Sequence, residues 1–72
     1  MKANTLIGMK IIDTRGNNLG KVDNLEIDEH TGLIESIDVK EKTDKLASED
    51  NPISFSEIDN IVDSVLVNLD KD

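Results

Sequence analysis

The chain contains no cysteine, tryptophan or tyrosine, and Phe55 is its only aromatic residue. The lack of cysteine excludes disulfides, thiolate nucleophiles and cysteine-based metal sites. His30 is the only histidine, so no second histidine or cysteine can share a metal ion with it or activate a nucleophile. We therefore interpret His30 as a solvated turn residue and predict a domain that is not an enzyme and has no metal or cofactor.

Long apolar runs are also missing. No stretch approaches the ~20 residues that cross a bilayer, and residues 1–8 are too short and too weakly charged for a signal peptide. We therefore expect a cytoplasmic protein that does not insert into membranes. A chain of 72 residues has room for one domain with a small core. Its core should be built from Ile, Leu and Val, with Phe55 as its largest member.

The net charge of −8 is unevenly distributed along the chain. In residues 1–22, four basic side chains against one carboxylate give +3, and in residues 23–72, four lysines against fifteen carboxylates give −11. Such a surface repels phosphate groups, so nucleic acid is not an expected partner. Faces of opposite sign can instead pair two copies of the chain or attract a basic protein.

Residues 6–40 predict three antiparallel strands that are joined by two turns. The strands cover residues 6–13, 19–28 and 33–40, with turns rich in Gly and Asn between them. The second strand keeps one apolar face only if an extra residue intervenes near Asp23 and Asn24, which predicts a β-bulge. In the third strand, Leu33, Ile37 and Val39 alternate onto one face.

Several segments are predicted to lie outside the sheet. Residues 1–5 and 70–72 should be flexible, and the polar residues 41–51 should form an exposed, mobile loop. Leu46 is the only large apolar residue in that loop, and we interpret it as an inward anchor. The carboxylates of the second strand lack the spacing of a calcium loop and are better explained as charges that discourage edge-to-edge aggregation.

Residues 54–69 are compatible with two structures. Their apolar positions have helical spacing, and Ser54 with Glu57 resembles a capping box. Against a helix, Ser, Asp and Asn occupy much of the polar face, and half of the apolar residues are β-branched, which favours strands. In the strand alternative, Asp63 and Ser64 form a turn. One face then holds Ile61, Val65, Val67 and Leu69, and Val62 and Leu66 point outward.

The order of these turns and apolar positions resembles the PRC-barrel family. The more specific half of the pattern comprises Ile11-Ile12-Asp13, Gly16, Leu19-Gly20-Lys21-Val22, Ile27-Asp28 and Thr31-Gly32. The looser half comprises residues 53–55, Ile58, Ile61, Asp63 and Val65-Leu66-Val67. The resemblance implies an all-β fold, a small β-barrel of about five to six antiparallel strands with a short helical turn at residues 56–59. It brings no shared catalytic residues with it.

The same resemblance implies a role for free-standing barrels of this kind in archaeal cell division. There, the expected partner is SepF or another PRC-barrel protein, and the chain should act as a homodimeric adaptor. We predict that Ile34, Val62 and Leu66 form the apolar contact surface, because the strand alternative leaves them outside the barrel. Two other hypotheses remain: an assembly factor that binds a ribosomal protein, and a small hydrolase that would need a pocket of clustered carboxylates.

Overall fold

The computed structural model of the protein describes residues 1–44, 46 and 52–69. A short helix precedes the sheet, and a 3₁₀ turn interrupts its second half. In chain order the elements are α1 (Ala3–Leu6), β1 (Lys10–Asp13), β2 (Asn18–Ile27), β3 (Ile34–Lys40), β4 (Ile53–Ser54), the 3₁₀ turn (Phe55–Glu57), β5 (Ile58–Ile61) and β6 (Val65–Val67). The all-β class predicted from the sequence is confirmed.

The six strands form one sheet in the order β4-β3-β2-β1-β6-β5. Every neighbouring pair is antiparallel except β1 and β6, in which Ile11 lies opposite Val65 in a parallel register. The expectation of antiparallel strands throughout is therefore wrong for this pair. Within the described residues, β4 and β5 end the sheet without pairing to each other, so the barrel is not closed by a continuous ladder.

The ribbon of β2 and β3 is irregular at two points. The register shifts between Val22 and Asn24, which confirms the bulge predicted there, and shifts again between Glu26 and Ile27. The second shift makes Glu35 the additional residue, because Ser36 lies opposite Glu26 and Ile34 lies opposite Ile27. Ile34 thereby returns to the face that Leu25 and Ile37 share.

The core is aliphatic throughout. In the described part of the chain, the buried core residues are Leu6, Ile11, Leu19, Val22, Ile37, Leu46, Ile53, Val65 and Val67. The prediction of an inward anchor at Leu46 is confirmed.

The prediction of Phe55 as the largest core residue is wrong, because Phe55 is 38% exposed. Leu33, predicted on one face with Ile37 and Val39, precedes the first residue of β3 and is 68% exposed. Phe55 begins the 3₁₀ turn, which leads the chain out of β4 before the ring can enter the core.

The last third of the chain forms strands and not a long helix. The capping box of Ser54 and Glu57 is present, since the Ser54 amide donates to Glu57 Oε1 over 3.0 Å and the Ser56 amide donates to Ser54 Oγ over 3.4 Å. It caps the 3₁₀ turn Phe55–Glu57. This turn begins one residue before the helical turn predicted at residues 56–59. Val65 and Val67 are buried while Leu66 faces the opposite side, which is the alternation of a strand. The tertiary fold therefore overrides the helical spacing of the apolar residues.

The terminal segments and the long loop are described only in part. Within residues 1–8, α1 forms at Ala3–Leu6 and buries Leu6 against the core. Residues 45, 47–51 and 70–72 lie outside the described part, and so do the predictions made for them. None of the described helices is long and apolar enough to span a membrane.

Candidate protein-binding groove

An apolar groove with a volume of about 320 Å³ opens where the two ends of the sheet approach α1. Its walls come from five elements. They consist of Leu6 from α1, Leu25 from β2, Ile34 from β3, Phe55 from the 3₁₀ turn and Ile61 from β5. Met1, Lys2 and Ala3 complete the lining, and Lys2 supplies its only charged side chain.

Exposed apolar side chains concentrate around this groove. The large apolar residues that are exposed in the described chain are Met1, Ile27, Leu33, Phe55, Val62 and Leu69. Met1 and Phe55 line the groove, and Ile27 lies opposite the lining residue Ile34 in the register of β2 and β3. Leu33 and Val62 directly adjoin lining residues in the sequence. Only Leu69 has no such relation to the groove, so the surface is apolar well beyond the groove itself.

The structure separates the three residues that the sequence predicted as one contact surface. Ile34 lines the groove, and Val62, 68% exposed, follows the lining residue Ile61 in the turn after β5. Leu66 lies on the outer face of β6, opposite to the buried Val65 and Val67 and level with Ile12 of β1. The prediction therefore combined residues of two separate regions, the groove with its margin and the outer face of β6.

Sequence reasoning missed most of the groove. The sequence predicts Phe55 in the core and places Leu25 and Ile61 in regular strands. Only their positions in the folded sheet reveal the groove that they line. One local signal was available for Phe55. The capping box at Ser54 and Glu57 marks the start of a turn, and the first residue of a capped turn leaves the strand that precedes it.

Three carboxylates influence one another on the β2–β3 ribbon, and we call Glu26, Glu35 and Asp38 the acidic cluster. A hydrogen bond with Asp38 raises the pKa of Glu26 above its ordinary value of 4.5, and the negative charges of Asp38 and Glu35 and partial desolvation act in the same direction. Asp38 lies diagonally across from Glu26, because its register partner is Asn24. The cluster therefore holds mutually repelling charges at neutral pH.

The raised pKa of Glu26 predicts a dependence of stability on pH. Between its ordinary pKa and its raised pKa, the folded state binds more protons than the unfolded state, so this group stabilises the fold less as the pH rises. We expect Asp38→Asn to increase the midpoint of thermal unfolding at about pH 7 and to reduce the fall in that midpoint from about pH 4 to pH 7. Circular dichroism of both proteins across this range measures the effect.

Asp23→Asn is the matched control, because it removes one carboxylate from β2 outside the cluster. Its pH profile should stay parallel to that of the unmodified chain. If Asp38→Asn and Asp23→Asn give the same profile, the interaction between Glu26 and Asp38 has no influence on stability.

Among residues 1–44, 46 and 52–69, no three His, Asp or Glu side chains are grouped so that they could hold a metal ion. His30 is exposed in the turn between β2 and β3, where its amide donates to Asp28 Oδ1 over 2.8 Å. The groove itself is lined by alkyl and aromatic groups and by one lysine. Its chemistry is that of a contact surface.

Fold and groove together define a small all-β domain with an apolar groove on its surface. The family model of the PRC-barrel domain matches residues 1–72, and the chain therefore belongs to the PRC-barrel domain family. No curated protein matches the chain. Family membership specifies the fold, whereas the function has to be argued from the groove and its surroundings.

Proposed function

We propose that this PRC-barrel chain is a non-enzymatic protein-binding adaptor and that the apolar groove is its docking site. The observation that carries this proposal is the concentration of exposed apolar residues in and around the groove, where Phe55 and Met1 line it and Ile27 adjoins it. Exposed apolar patches of this kind mark interaction sites in small proteins. A groove assembled from five rigid elements is also preorganised, which lowers the entropy cost of binding.

The proposed setting is archaeal cell division, with SepF or another PRC-barrel protein as the partner. Family membership supports this proposal only at the level of the fold. For the adaptor itself we propose a homodimer that associates through the outer face of β6. The support for this face is the register of Leu66 with Ile12, which places two half-buried aliphatic side chains beside each other on the same side of the sheet.

A pull-down with the tagged full chain tests the adaptor proposal. We expect SepF or a PRC-barrel protein among the captured proteins. Ile34→Asp should reduce that capture at least about tenfold, because it places a charge in the desolvated centre of the contact. Light scattering of the purified chain should show a dimer, and Leu66→Asp on the outer face of β6 should dissociate it.

Leu69→Asp provides the control, since Leu69 is exposed but does not line the groove. Circular dichroism first establishes that each variant is folded. Capture of ribosomal proteins in place of a division protein would support the alternative of an assembly factor and contradict the division setting. If Ile34→Asp and Leu69→Asp retain partners equally well, the groove is not the docking site.

A further inference from the structure

We infer that two copies of this chain associate face to face about a two-fold axis along β1 and β6, so that Lys10 and Lys21 of one protomer lie over the partner's Asp63. This inference rests on the homodimer proposed above and adds its orientation and its charge contacts. Two features carry it. One is a row of side chains that is symmetric about the β1–β6 pair, and the other is the opposite sign of the charges on the two sides of that pair.

The symmetric row crosses the outer face of the sheet. Leu66 faces away from the core between the buried Val65 and Val67, and residues directly opposite each other in neighbouring strands point to the same side. The registers of β2, β1, β6 and β5 therefore extend this row over four strands. Its members are, in spatial order, Asn18, Ile12, Leu66 and Asn60. The row reads amide, aliphatic, aliphatic, amide, which is the same pattern from either end.

Such a row is complementary to a second copy of itself. A two-fold axis between β1 and β6, parallel to these strands and in the plane of contact, places Ile12 of one protomer on Leu66 of its partner, and symmetry supplies the reverse contact. The same axis brings Asn18 over Asn60, and an amide can both donate and accept a hydrogen bond. Ile12 and Leu66 are half-buried, whereas the two asparagines are exposed. The contact therefore has an aliphatic centre between polar margins.

The charges differ between the two sides of the β1–β6 pair. On the β1 side, Lys10 lies opposite Lys21 of β2. Both side chains point outward, because Ile11 and Val22, which follow them, are buried and successive side chains alternate. On the β6 side, the exposed Asp63 lies in the turn that joins β5 to β6. Two lysines directly opposite each other are unfavourable in a sheet, so a carboxylate that reaches them from a second copy stabilises both.

The register brings the β5–β6 turn and the two lysines to the same level of the sheet. Ile11 lies opposite Val65 in the parallel pairing of β1 with β6. The turn ends just before Val65, and Lys10 directly precedes Ile11, so the turn is level with Lys10. The axis between β1 and β6 then carries Asp63 of one protomer over Lys10 and Lys21 of its partner.

Charge also selects this orientation over other ways of stacking two copies. The net charge of −8 makes the copies repel each other at long range, so a stable contact needs cations that face carboxylates. The proposed orientation supplies such a contact from each protomer. Lys10 makes the larger contribution, because Lys21 Nζ already lies 3.5 Å from Glu41 Oε2 within its own chain.

Charge reversal tests the orientation. Sedimentation velocity of the purified full chain over a series of concentrations should show a dimer. Lys10→Asp should weaken this dimer at least about tenfold, because it places a carboxylate against the partner's Asp63. Asp63→Lys should weaken it to a similar degree, because it adds a third lysine beside Lys10 and Lys21.

Recombining the two changes gives the decisive result. In an equimolar mixture of the two variants, the introduced aspartate faces the introduced lysine, and the remaining Lys10 faces the remaining Asp63. A heterodimer should therefore form. The double variant Lys10→Asp with Asp63→Lys should restore the homodimer for the same reason. Two residues that lay in the interface without contacting each other would not rescue each other in this way.

Lys40→Asp is the matched control. Lys40 continues the lysine row on β3, where it lies opposite Lys21. Because β5 is the last strand on the other side of the sheet, the two-fold axis carries Lys40 beyond the edge of the partner's sheet. The same change of charge at this position should alter the dimer affinity by less than about threefold. Circular dichroism establishes that each variant is folded.

The outcomes separate this orientation from the proposed adaptor function. A dimer that Lys10→Asp and Lys40→Asp weaken equally, or that the double variant does not restore, would overturn the orientation and leave the homodimer in place. A chain that stays monomeric at all concentrations would overturn both the orientation and the homodimer. The pull-down with Ile34→Asp judges docking in the groove independently of either result.

Discussion

Replacing Gly20 with alanine should destabilise the domain by roughly 2 to 5 kcal/mol, from backbone strain and overpacking together. Gly20 is buried in β2 opposite Ile11 and has a φ of +140°, which residues with a Cβ rarely adopt. An added Cβ would lie 2.7 Å from Val39 Cγ1 and 2.8 Å from the Lys40 carbonyl oxygen. The second contact is with backbone, so a change of rotamer does not relieve it.

The matched control is Gly16→Ala. Gly16 also has a positive φ, of +85°, but an added Cβ there would meet nothing within 4 Å. Only the conformational cost then remains, on the order of 1 kcal/mol. Urea denaturation followed by circular dichroism compares the two variants. Equal midpoints would mean that the close approach at Gly20 does not contribute to the requirement for glycine.

Replacing Ile37 with alanine should destabilise the domain by about 2 to 5 kcal/mol, because it leaves a cavity in the core. Ile37 is fully buried and lies opposite Leu25 on one side and Ile53 on the other. The total stability of a domain of this length is roughly 4 to 11 kcal/mol. We therefore expect a large fall in the midpoint of thermal unfolding. In this variant, β4 should be the strand held least firmly in the sheet.

Ile27→Ala is the same change on the neighbouring strand at a position that is 58% exposed. It should alter stability by no more than about 0.5 kcal/mol. Because Ile27 lies beside the apolar groove, its loss should instead reduce partner capture. If both variants lose equal stability, Ile27 is more buried in solution than its exposure indicates.

The features that the sequence predicted correctly depend on local pattern. The bulge near Asp23 follows from counting apolar positions along one strand, and the burial of Val65 and Val67 with Leu66 on the other side follows from strand alternation. Leu46 is the only large apolar residue of its loop, so its anchoring role was readable from composition alone. Each of these inferences needs only the residues within one element.

The features that were missed depend on how distant elements meet. The register shift at Glu35 decides which side Ile34 takes, and it requires both strands to be known. Phe55 was expected in the core because aromatic residues are usually buried, but the capped 3₁₀ turn places it on the wall of the groove. Residues of α1, β2, β3 and β5 meet at the groove. The spacing of apolar residues within one segment cannot predict that these elements come together.

For the candidate contact residues, too, the sequence predicts the local exposure of a side chain but not which distant residues lie beside it. Sequence alternation correctly left Val62 exposed and turned Leu66 outward. It did not show that Val62 adjoins the groove through Ile61 while Leu66 shares the outer face with Ile12. Two separate apolar regions would allow the proposed adaptor to self-associate and to hold a partner at the same time.

The parallel pairing of β1 with β6 has a consequence for the order of folding. β1 precedes the other described strands and β6 follows them, so β1 is made well before β6, and the two become neighbours near the centre of the sheet. The hairpin of β1 and β2 can form early from contacts close in sequence, but one edge of β1 stays open until β6 has left the ribosome. Truncated or stalled chains that lack β6 therefore expose this edge of β1 and should aggregate. The domain is protected from this aggregation only after β6 has been made and paired.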